Sequence, residues 1–445
     1  MKLLLIQSLT DSPEGPIFPL GLAYLAAALP PDWNPRVVDM NVERDPYGAI
    51  AAAGRAHGPD LLGLSVRNIK VARPGEHITS GLEVRAMVQR IRAAVPGVPL
   101  LAGGAGFSLY ADPLLRRAPE IDWGLVGEGE VALPAFLRQF PDPRGVAGLA
   151  YRDGARIVMQ GRTAKPDFAA LPWPRRDLFD MSVYRRYPTG VGVMTKRGCP
   201  YHCIHCSDIY LLGRRVRARP PADIIEELRF LKREYALTDF MFADQTFNVP
   251  ADQTKELLRL LAQSSLGLRW TAYFTPDGLD AEMVDLFKRS GCQMLGFSPD
   301  CCSDDMLRAL GRGFTMADLQ RANRLIRQAR IPVTYNFMLG LPGETLGSLA
   351  RTLAFVVRSK LELGRLLQLH GLFMVPARIY PHTVLRKMAV RARAISAGDD
   401  LLEARFSRAR SRIANWADRA VMSSLAAAWK LKHRLRPGRA APGAP

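Results

Sequence analysis

The sequence of 445 residues predicts an α/β protein with two principal domains, a doubly wound parallel sheet and a partial α/β barrel, followed by a basic helical tail. Strand and helix patterns alternate regularly near the N-terminus, and a second alternating series begins near residue 190. The predicted boundaries are 1–141 for the doubly wound domain, 142–185 for a hairpin and Pro-rich linker, 186–395 for the barrel, and 396–445 for the tail.

Five strand patterns predict that the first domain is a flavodoxin-like (Rossmann-like) sheet, at residues 2–9, 36–40, 60–66, 98–102 and 123–126. In such sheets, ligands bind outside the carboxyl ends of the strands. Four of these ends carry Gly-rich or polar loops, and glycine lets the backbone approach a ligand closely. The predicted ligand-binding edge consists of Pro19, Leu20, Gly21, Ser65, Arg67, Asn68, Gly103, Gly104, Phe107, Ser108, Gly127, Glu128, Gly129 and Glu130.

The second series predicts a partial (β/α)6 barrel with its chemistry at the carboxyl ends of the strands. Its strand patterns lie at 191–195, 239–243, 268–274, 293–297, 332–339 and 366–373. Before it, residues 146–161 predict a hairpin that turns at Asp153-Gly154, and a Pro-rich strap follows at 165–174.

Three cysteines directly after the first barrel strand carry the strongest chemical signal. Cys199, Cys203 and Cys206 are spaced four and three residues apart, so their thiolates can converge on one iron–sulfur cluster. A cubane held by three cysteines keeps one iron open for a ligand, since full protein ligation takes four. The alternative is a zinc site completed by His202 or His205.

This loop resembles the C-x3-C-x2-C signature of the radical S-adenosylmethionine (SAM) superfamily, and later segments agree in order and spacing over about residues 185–390. The resemblance implies a [4Fe–4S] cluster on the three cysteines, and a bound SAM that is cleaved reductively to a 5′-deoxyadenosyl radical. His205 occupies a position that is usually aromatic in the family. The implied SAM-binding residues are His205, Asp244, Ser298, Asp300, Gly340, Pro342 and Glu344.

The N-terminal loops resemble the cobalamin-binding domain that precedes one branch of this superfamily. The resemblance implies that cobalamin lies across the ligand-binding edge described above and faces the barrel mouth. No D-x-H-x-x-G loop is present, so an axial histidine is not expected. Arg67 is then a candidate neighbour of the corrin, where a fixed cation would disfavour a further ligand on cobalt.

The predicted function is that of a cobalamin-dependent radical SAM enzyme that methylates an unactivated carbon. One alternative is a cyclase or rearrangement enzyme with a degenerate cobalamin domain. Methylthiolation of transfer RNA usually needs a second cluster on N-terminal cysteines, and residues 1–198 contain none. An alternative of another class is a non-catalytic, metal-containing nucleic-acid binder that uses Trp416 and Trp429 of the tail.

About half of the net charge of +19 lies near the C-terminus, since residues 386–445 hold 14 Lys and Arg against 4 Asp and Glu. A solvated helix explains this charge, although weak contact with a membrane surface also fits, and nucleic acid is not an expected partner. The expected partners are a small-molecule or peptide substrate and an electron donor such as flavodoxin or ferredoxin. The N-terminus reads as a buried strand rather than a signal peptide, which predicts a cytoplasmic protein.

Overall fold

The computed structural model describes residues 1–10, 15–67, 81–368 and 373–408. The N-terminal sheet has seven strands in the order β2-β1-β3-β4-β5-β6-β7. They are β1 (Lys2–Gln7), β2 (Asn34–Asp39), β3 (Leu61–Ser65), β4 (Leu100–Gly103), β5 (Trp123–Leu125), β6 (Leu149–Asp153) and β7 (Arg156–Met159). The first five are parallel in the order of a flavodoxin-like fold, which confirms the predicted class.

The hairpin that was predicted within the linker extends this sheet. Strand β6 pairs antiparallel with β5, with Trp123 opposite Tyr151, and β7 pairs with β6. The hairpin is therefore a structural part of the N-terminal sheet, and only the Pro-rich strap beyond it connects to the barrel.

Six helices accompany the N-terminal sheet, so that its central strands are buried on both faces. The helices are α1 (Leu20–Ala27), α2 (Pro46–His57), α3 (Gly81–Ala94), α4 (Ala105–Leu109), α5 (Ala111–Arg117) and α6 (Gly129–Arg138). Helix α1 is apolar on all sides because it packs against both domains. Leu22 and Ala26 join the core of the N-terminal sheet, whereas Ala23 and Tyr24 join the core of the barrel.

The second sheet has six parallel strands in the order β8-β11-β12-β13-β14-β15, which confirms the partial barrel. They are β8 (Gly192–Val193), β11 (Asp239–Phe242), β12 (Arg269–Phe274), β13 (Cys292–Asp300), β14 (Val333–Leu339) and β15 (Phe373–Pro376). The last strand was predicted at 366–373 and is described at Phe373–Pro376. Leu366 belongs to a 3-10 turn that follows a long helix, whereas Leu367 forms a parallel bridge with Val333, and residues 369–372 lie outside the described residues. Gly364, with a φ of 56°, ends that helix.

Helices separate the barrel strands and close the outer face of the sheet. They are α9 (Pro221–Tyr235), α10 (Ala251–Gln263), α11 (Ala281–Arg289), α12 (Asp304–Ala309), α13 (Met316–Ala329), α14 (Leu346–Leu363) and α15 (Val384–Arg391). Two shorter helices, α7 (Met181–Tyr184) and α8 (Asp208–Leu211), flank β8 and the cysteine loop. Among the described residues, no helix is long and apolar enough to cross a membrane.

The cysteine loop is closed at its base by a short antiparallel pair. Strand β9 (Lys196–Arg197) precedes the loop, and β10 (Arg217–Ala218) follows it. Arg197 lies opposite Arg217 in this pair. Both ends of the loop are thereby held at the carboxyl end of β8, which points the loop into the barrel mouth.

The described part of the predicted helical tail is not helical. Residues 401–408 return to the end of the barrel, where the Ile379 amide donates to the Arg405 carbonyl at 2.8 Å and the Ser407 amide donates to the Ala377 carbonyl at 2.8 Å. Asp400 also pairs with Arg117 at 2.5 Å. These tertiary bonds use backbone groups that a helix would need internally. Residues 409–445, with Trp416 and Trp429, lie outside the described residues.

Candidate functional site

Two cavities lie where the carboxyl edge of the N-terminal sheet meets the mouth of the barrel. One, of about 480 Å³, is walled by the loops after β1, β3, β4 and β5 and by barrel residues such as Met194 and Leu211. The other, of about 330 Å³, is walled by the three cysteines and the ends of the barrel strands. Asp208 and Gln245 line both cavities, so the two spaces adjoin.

Cys199, Cys203 and Cys206 all line the smaller cavity, hereafter the cysteine cavity. Burial raises the pKa of the Cys199 and Cys206 thiols, so coordination to a cation is what would favour their thiolate forms there. Among the described residues, no group of three or more His, Cys, Asp or Glu could hold a single metal ion. A cubane binds its thiolates through separate irons and does not need them to converge on one point.

Arg312 is the principal cation of this cavity. Its Nη1 donates to the Sγ of Cys203 at 3.2 Å and lies 3.4 Å from the Oδ2 of Asp300. The second guanidinium nitrogen donates to the Ser298 carbonyl. Although burial opposes the charge, Asp300 and Cys203 raise the pKa of Arg312, so it stays a fixed cation beside a cluster ligand.

The cysteine cavity contains polar atoms that suit a polar ligand. In the part of the chain that the structure describes, five of its buried atoms have no hydrogen-bond partner. They are His205 Nδ1, Gln245 Oε1, Thr275 Oγ1, Arg312 Nε and Asn336 Oδ1. Since buried polar groups are normally paired, this lining fits a ligand with both donors and acceptors, as SAM has.

The predicted SAM-binding residues divide into two groups. His205 and Ser298 line the cysteine cavity, and Asp300 lies 3.6 Å from the His205 ring. Asp244, Gly340, Pro342 and Glu344 do not line it.

Three of these four residues have partners within the protein. Asp244 is buried and accepts hydrogen bonds from the Thr195 amide at 2.8 Å and the Thr195 hydroxyl at 2.5 Å. Glu344 accepts from the Gly340 amide at 2.8 Å, and Gly340 packs against Ser407. Asp244 and Glu344 thus hold turns together, and contact of the four residues with SAM stays a prediction.

Sequence reasoning missed Gln245, Asn336 and Arg312 in the cysteine cavity. The signal for Arg312 is its two flanking glycines. A Cβ on Gly311 would lie 2.4 Å from the His202 carbonyl oxygen, and one on Gly313 would lie 2.3 Å from the Tyr201 ring. Both glycines let this loop pack closely against the cysteine loop. The close packing places the Arg312 side chain in contact with Cys203.

The larger cavity, hereafter the corrin cavity, is lined by most of the predicted ligand-binding edge. The lining residues from that prediction are Pro19, Leu20, Gly21, Ser65, Arg67, Gly103, Gly104, Gly127, Glu128, Gly129 and Glu130. Phe107 does not line it, because its ring is fully buried under Gly124. Ser108 lies behind the wall, where its hydroxyl donates to the Gly104 carbonyl and accepts from the Gly127 amide. Asn68 lies outside the described residues.

Glycines form the cradle of the corrin cavity. Gly104 has a φ of 94° and a ψ of 173°, a conformation that only glycine adopts readily. A Cβ at this position would lie 2.6 Å from the Val66 carbonyl oxygen. Glycine therefore lets this loop pack closely on Val66, and Gly103 and Gly104 both line the cavity. Arg67 also lines the cavity, and burial lowers its pKa while Asp39 opposes that shift.

This fold and these two cavities define a class of protein in which a radical SAM domain is joined to a B12-binding domain. The model of the Radical SAM superfamily matches residues 193–356, and that of the B12 binding domain matches residues 6–137. The chain is therefore a radical SAM enzyme with an N-terminal B12-binding domain, and its cofactors are a [4Fe–4S] cluster, SAM and cobalamin. The zinc alternative and the non-catalytic nucleic-acid binder are both wrong.

Two curated methyltransferases and a solved structure align with most of this chain. An uncharacterised methyltransferase of Pyrococcus horikoshii is 26% identical over 81% of this chain and 79% of that protein. The cytidylyl-2-hydroxyethylphosphonate methyltransferase of Streptomyces wedmorensis is 25% identical over 73% of this chain and 69% of that protein. The same fold occurs in the radical SAM methyltransferase TsrM from Kitasatospora setae, whose structure was solved with cobalamin and a [4Fe–4S] cluster. The two structures superpose with a TM-score of 0.75 and 23% sequence identity, over 88% of this chain and 75% of that chain.

Proposed function

We propose that this enzyme is a cobalamin-dependent radical SAM methyltransferase that acts on an unactivated carbon of a small-molecule or peptide substrate. The observation that carries the proposal is the shared wall of Asp208 and Gln245 between the cysteine cavity and the corrin cavity. A substrate at this wall would face both cofactors at once. The methyltransferase names of the relatives support the same reaction class.

In this proposal, Cys199, Cys203 and Cys206 hold the cluster, and His205, Ser298, Asn336 and Arg312 line the SAM site. When bound, the cluster supplies the electron that cleaves SAM, and cobalamin carries the methyl group. Arg312 orients the loop around Cys203 and keeps a positive charge beside it. Tyr273, Phe274 and Phe314 line the same cavity and limit the access of water to the reacting centre. An external one-electron donor, such as a flavodoxin or ferredoxin, is required, and a cytoplasmic location stays a prediction.

The test uses protein purified without oxygen and Cys203→Ala, with Cys292→Ala as the matched control in a buried cysteine outside the loop. We expect about four irons per chain in the wild type and the control, since three thiolates suit a cubane. Cys203→Ala is expected to lose the cluster and all formation of 5′-deoxyadenosine. Cleavage that persists in this variant would contradict the assignment.

The cobalamin part has its own measurement. Wild-type protein reconstituted with hydroxocobalamin is expected to keep the corrin absorption through gel filtration. A colourless product would remove methyl transfer from the proposal.

Radical cyclisation is the second candidate function. The anaerobic magnesium-protoporphyrin IX monomethyl ester cyclase of Cereibacter sphaeroides is 24% identical over 75% of this chain and 55% of that protein. A chain that forms 5′-deoxyadenosine but retains no corrin would favour this reading.

A further inference from the structure

A buried network of ion pairs joins the wall of the corrin cavity to the base of the cysteine loop. Arg197, two residues before Cys199, donates from Nη1 to Glu128 Oε2 at 2.9 Å and from Nη2 to Glu130 Oε1 at 2.6 Å. The exposed fractions of the three side chains are 5%, 5% and 4%. One arginine thus holds both acidic residues of the Gly127-Glu128-Gly129-Glu130 loop.

The opposite end of the cysteine loop is tied to the same carboxylate. Arg217, on β10, donates to Glu128 Oε1 at 2.6 Å, and Lys165 of the Pro-rich strap lies 3.1 Å from that oxygen. Although burial acts in the other direction, the hydrogen bonds from Arg217 and Arg197 keep the pKa of Glu128 below its ordinary range. Three cations therefore face two carboxylates. We call Arg197, Arg217, Lys165, Glu128 and Glu130 the interdomain network.

Aromatic rings cover the Arg197 end of this network. The Arg197 guanidinium lies 4.6 Å from the centre of the Phe168 ring and 5.2 Å from that of Tyr24. Tyr24 belongs to α1, whose first turn lines the corrin cavity, and Phe168 belongs to the strap. The network is thus enclosed by the N-terminal domain, the linker and the barrel together.

Such a network is better suited to fixing the relative positions of its residues than to raising the stability of the fold. Desolvation of buried charges offsets most of their attraction, so a buried ion pair is weak evidence for a stabilising role. An arginine fork that binds two carboxylates, in contrast, fixes direction as well as distance. Glu128 and Glu130 line the corrin cavity, yet their charged ends are turned to arginines of the barrel.

We propose that Arg197, Glu128 and Glu130 are positioning residues that fix the cysteine loop relative to the corrin cavity. The inference rests on the proposed function for the identity of the two cofactors that are positioned. Transfer at the wall of Asp208 and Gln245 requires both cofactors to reach one substrate. A network that ties both ends of the cysteine loop to the corrin wall sets that separation.

The test is Glu130→Gln in the full chain, which keeps the side-chain volume but leaves three cations facing one carboxylate. Glu282→Gln is the matched control, since Glu282 is an exposed acid paired only with barrel-surface residues Lys255 and Arg259. We expect Glu130→Gln to keep the iron content of the wild type and to release cobalamin at least about tenfold faster, because it breaks a buried charge pair.

A spectroscopic measurement separates positioning from simple binding. The microwave power needed to saturate the electron paramagnetic resonance signal of cob(II)alamin rises when a reduced, paramagnetic cluster lies nearby. We expect this enhancement to weaken in Glu130→Gln and to stay unchanged in Glu282→Gln. Arg197→Lys, which keeps the charge but loses the fork, is expected to fall between Glu130→Gln and the wild type.

Two results would overturn the inference while leaving the proposed function intact. The first is equal cobalamin release and equal saturation in Glu130→Gln and Glu282→Gln. The second is a loss of iron in parallel with cobalamin, which would make the network part of the cluster fold. Failure of the wild type to retain cobalamin would instead contradict the proposed function, and the inference would fall with it.

Discussion

The two cavities adjoin, but they present different polar groups. The cysteine cavity presents three thiols, the Arg312 cation and buried polar atoms that have no partner in the described part of the chain. The corrin cavity presents leucines, glycine backbone and the Arg67 side chain, and the charges of Glu128 and Glu130 are already neutralised by the interdomain network. The first wall therefore offers a ligand more unpaired polar atoms, whereas the second relies more on shape.

Replacement of Arg312, the cation of the cysteine cavity, is expected to have the largest effect. Arg312→Met would remove the guanidinium that pairs with Asp300 and donates to Cys203. We expect 5′-deoxyadenosine formation to fall roughly 100-fold or more, since loss of one partner of a buried charge pair is costly. Arg308→Met is the control, because Arg308 is exposed and bonds to residues of its own helix, the Asp305 carboxylate and the Asp304 carbonyl. A rate in Arg312→Met within a fewfold of this control would show that the polar wall does not depend on its cation.

The matching test of the corrin cavity is a substitution that changes the shape of its wall. Gly104→Ala would force a Cβ to within 2.6 Å of the Val66 carbonyl, at a φ of 94°. We expect the free energy of unfolding to fall by about 2–4 kcal/mol, from backbone strain together with overpacking. Cobalamin retention should be lost, while the iron content stays near that of the wild type.

Gly97→Ala separates the two causes of the expected loss of stability, which are backbone strain and overpacking. Gly97 also has a positive φ, of 77°, but a Cβ there meets nothing within 4 Å. Denaturant unfolding of this control should report strain alone, at about 1–2 kcal/mol. Equal losses in the two variants would mean that the Val66 contact does not shape the cavity.

The sequence predicted the two parallel sheets and the strand ends at which both cavities lie, because apolar periodicity and loop glycines report directly on strand ends. It did not predict which side chains at the strand ends remain available to a ligand. Asp244 and Glu344 follow barrel strands as expected, yet their carboxylates are bound by Thr195 and Gly340.

Distant partners account for the other differences. Arg312 reaches Cys203 across 109 positions of the chain, and Arg197 reaches Glu130 across 67. No local pattern encodes such pairs, although the glycines around Arg312 record the close approach that one of them needs. Spacing thus identifies a site, and tertiary packing decides which of its residues remain available to a ligand.

Truncation after Arg408 is expected to have the smallest effect on either cavity. Among the described residues, none from 373 to 408 lines the corrin cavity or the cysteine cavity. The cut keeps the bonds of Arg405 and Ser407 to the end of the barrel, so iron content and 5′-deoxyadenosine formation should stay within about twofold of the full chain. A cut after Ala404 would remove both bonds and the packing of Ser407 on Gly340, and it should lower the unfolding midpoint. A folded but inactive chain ending at Arg408 would show that residues 409–445 contribute to one of the two cavities, and the contrast between polar and shaped walls would then need a third component.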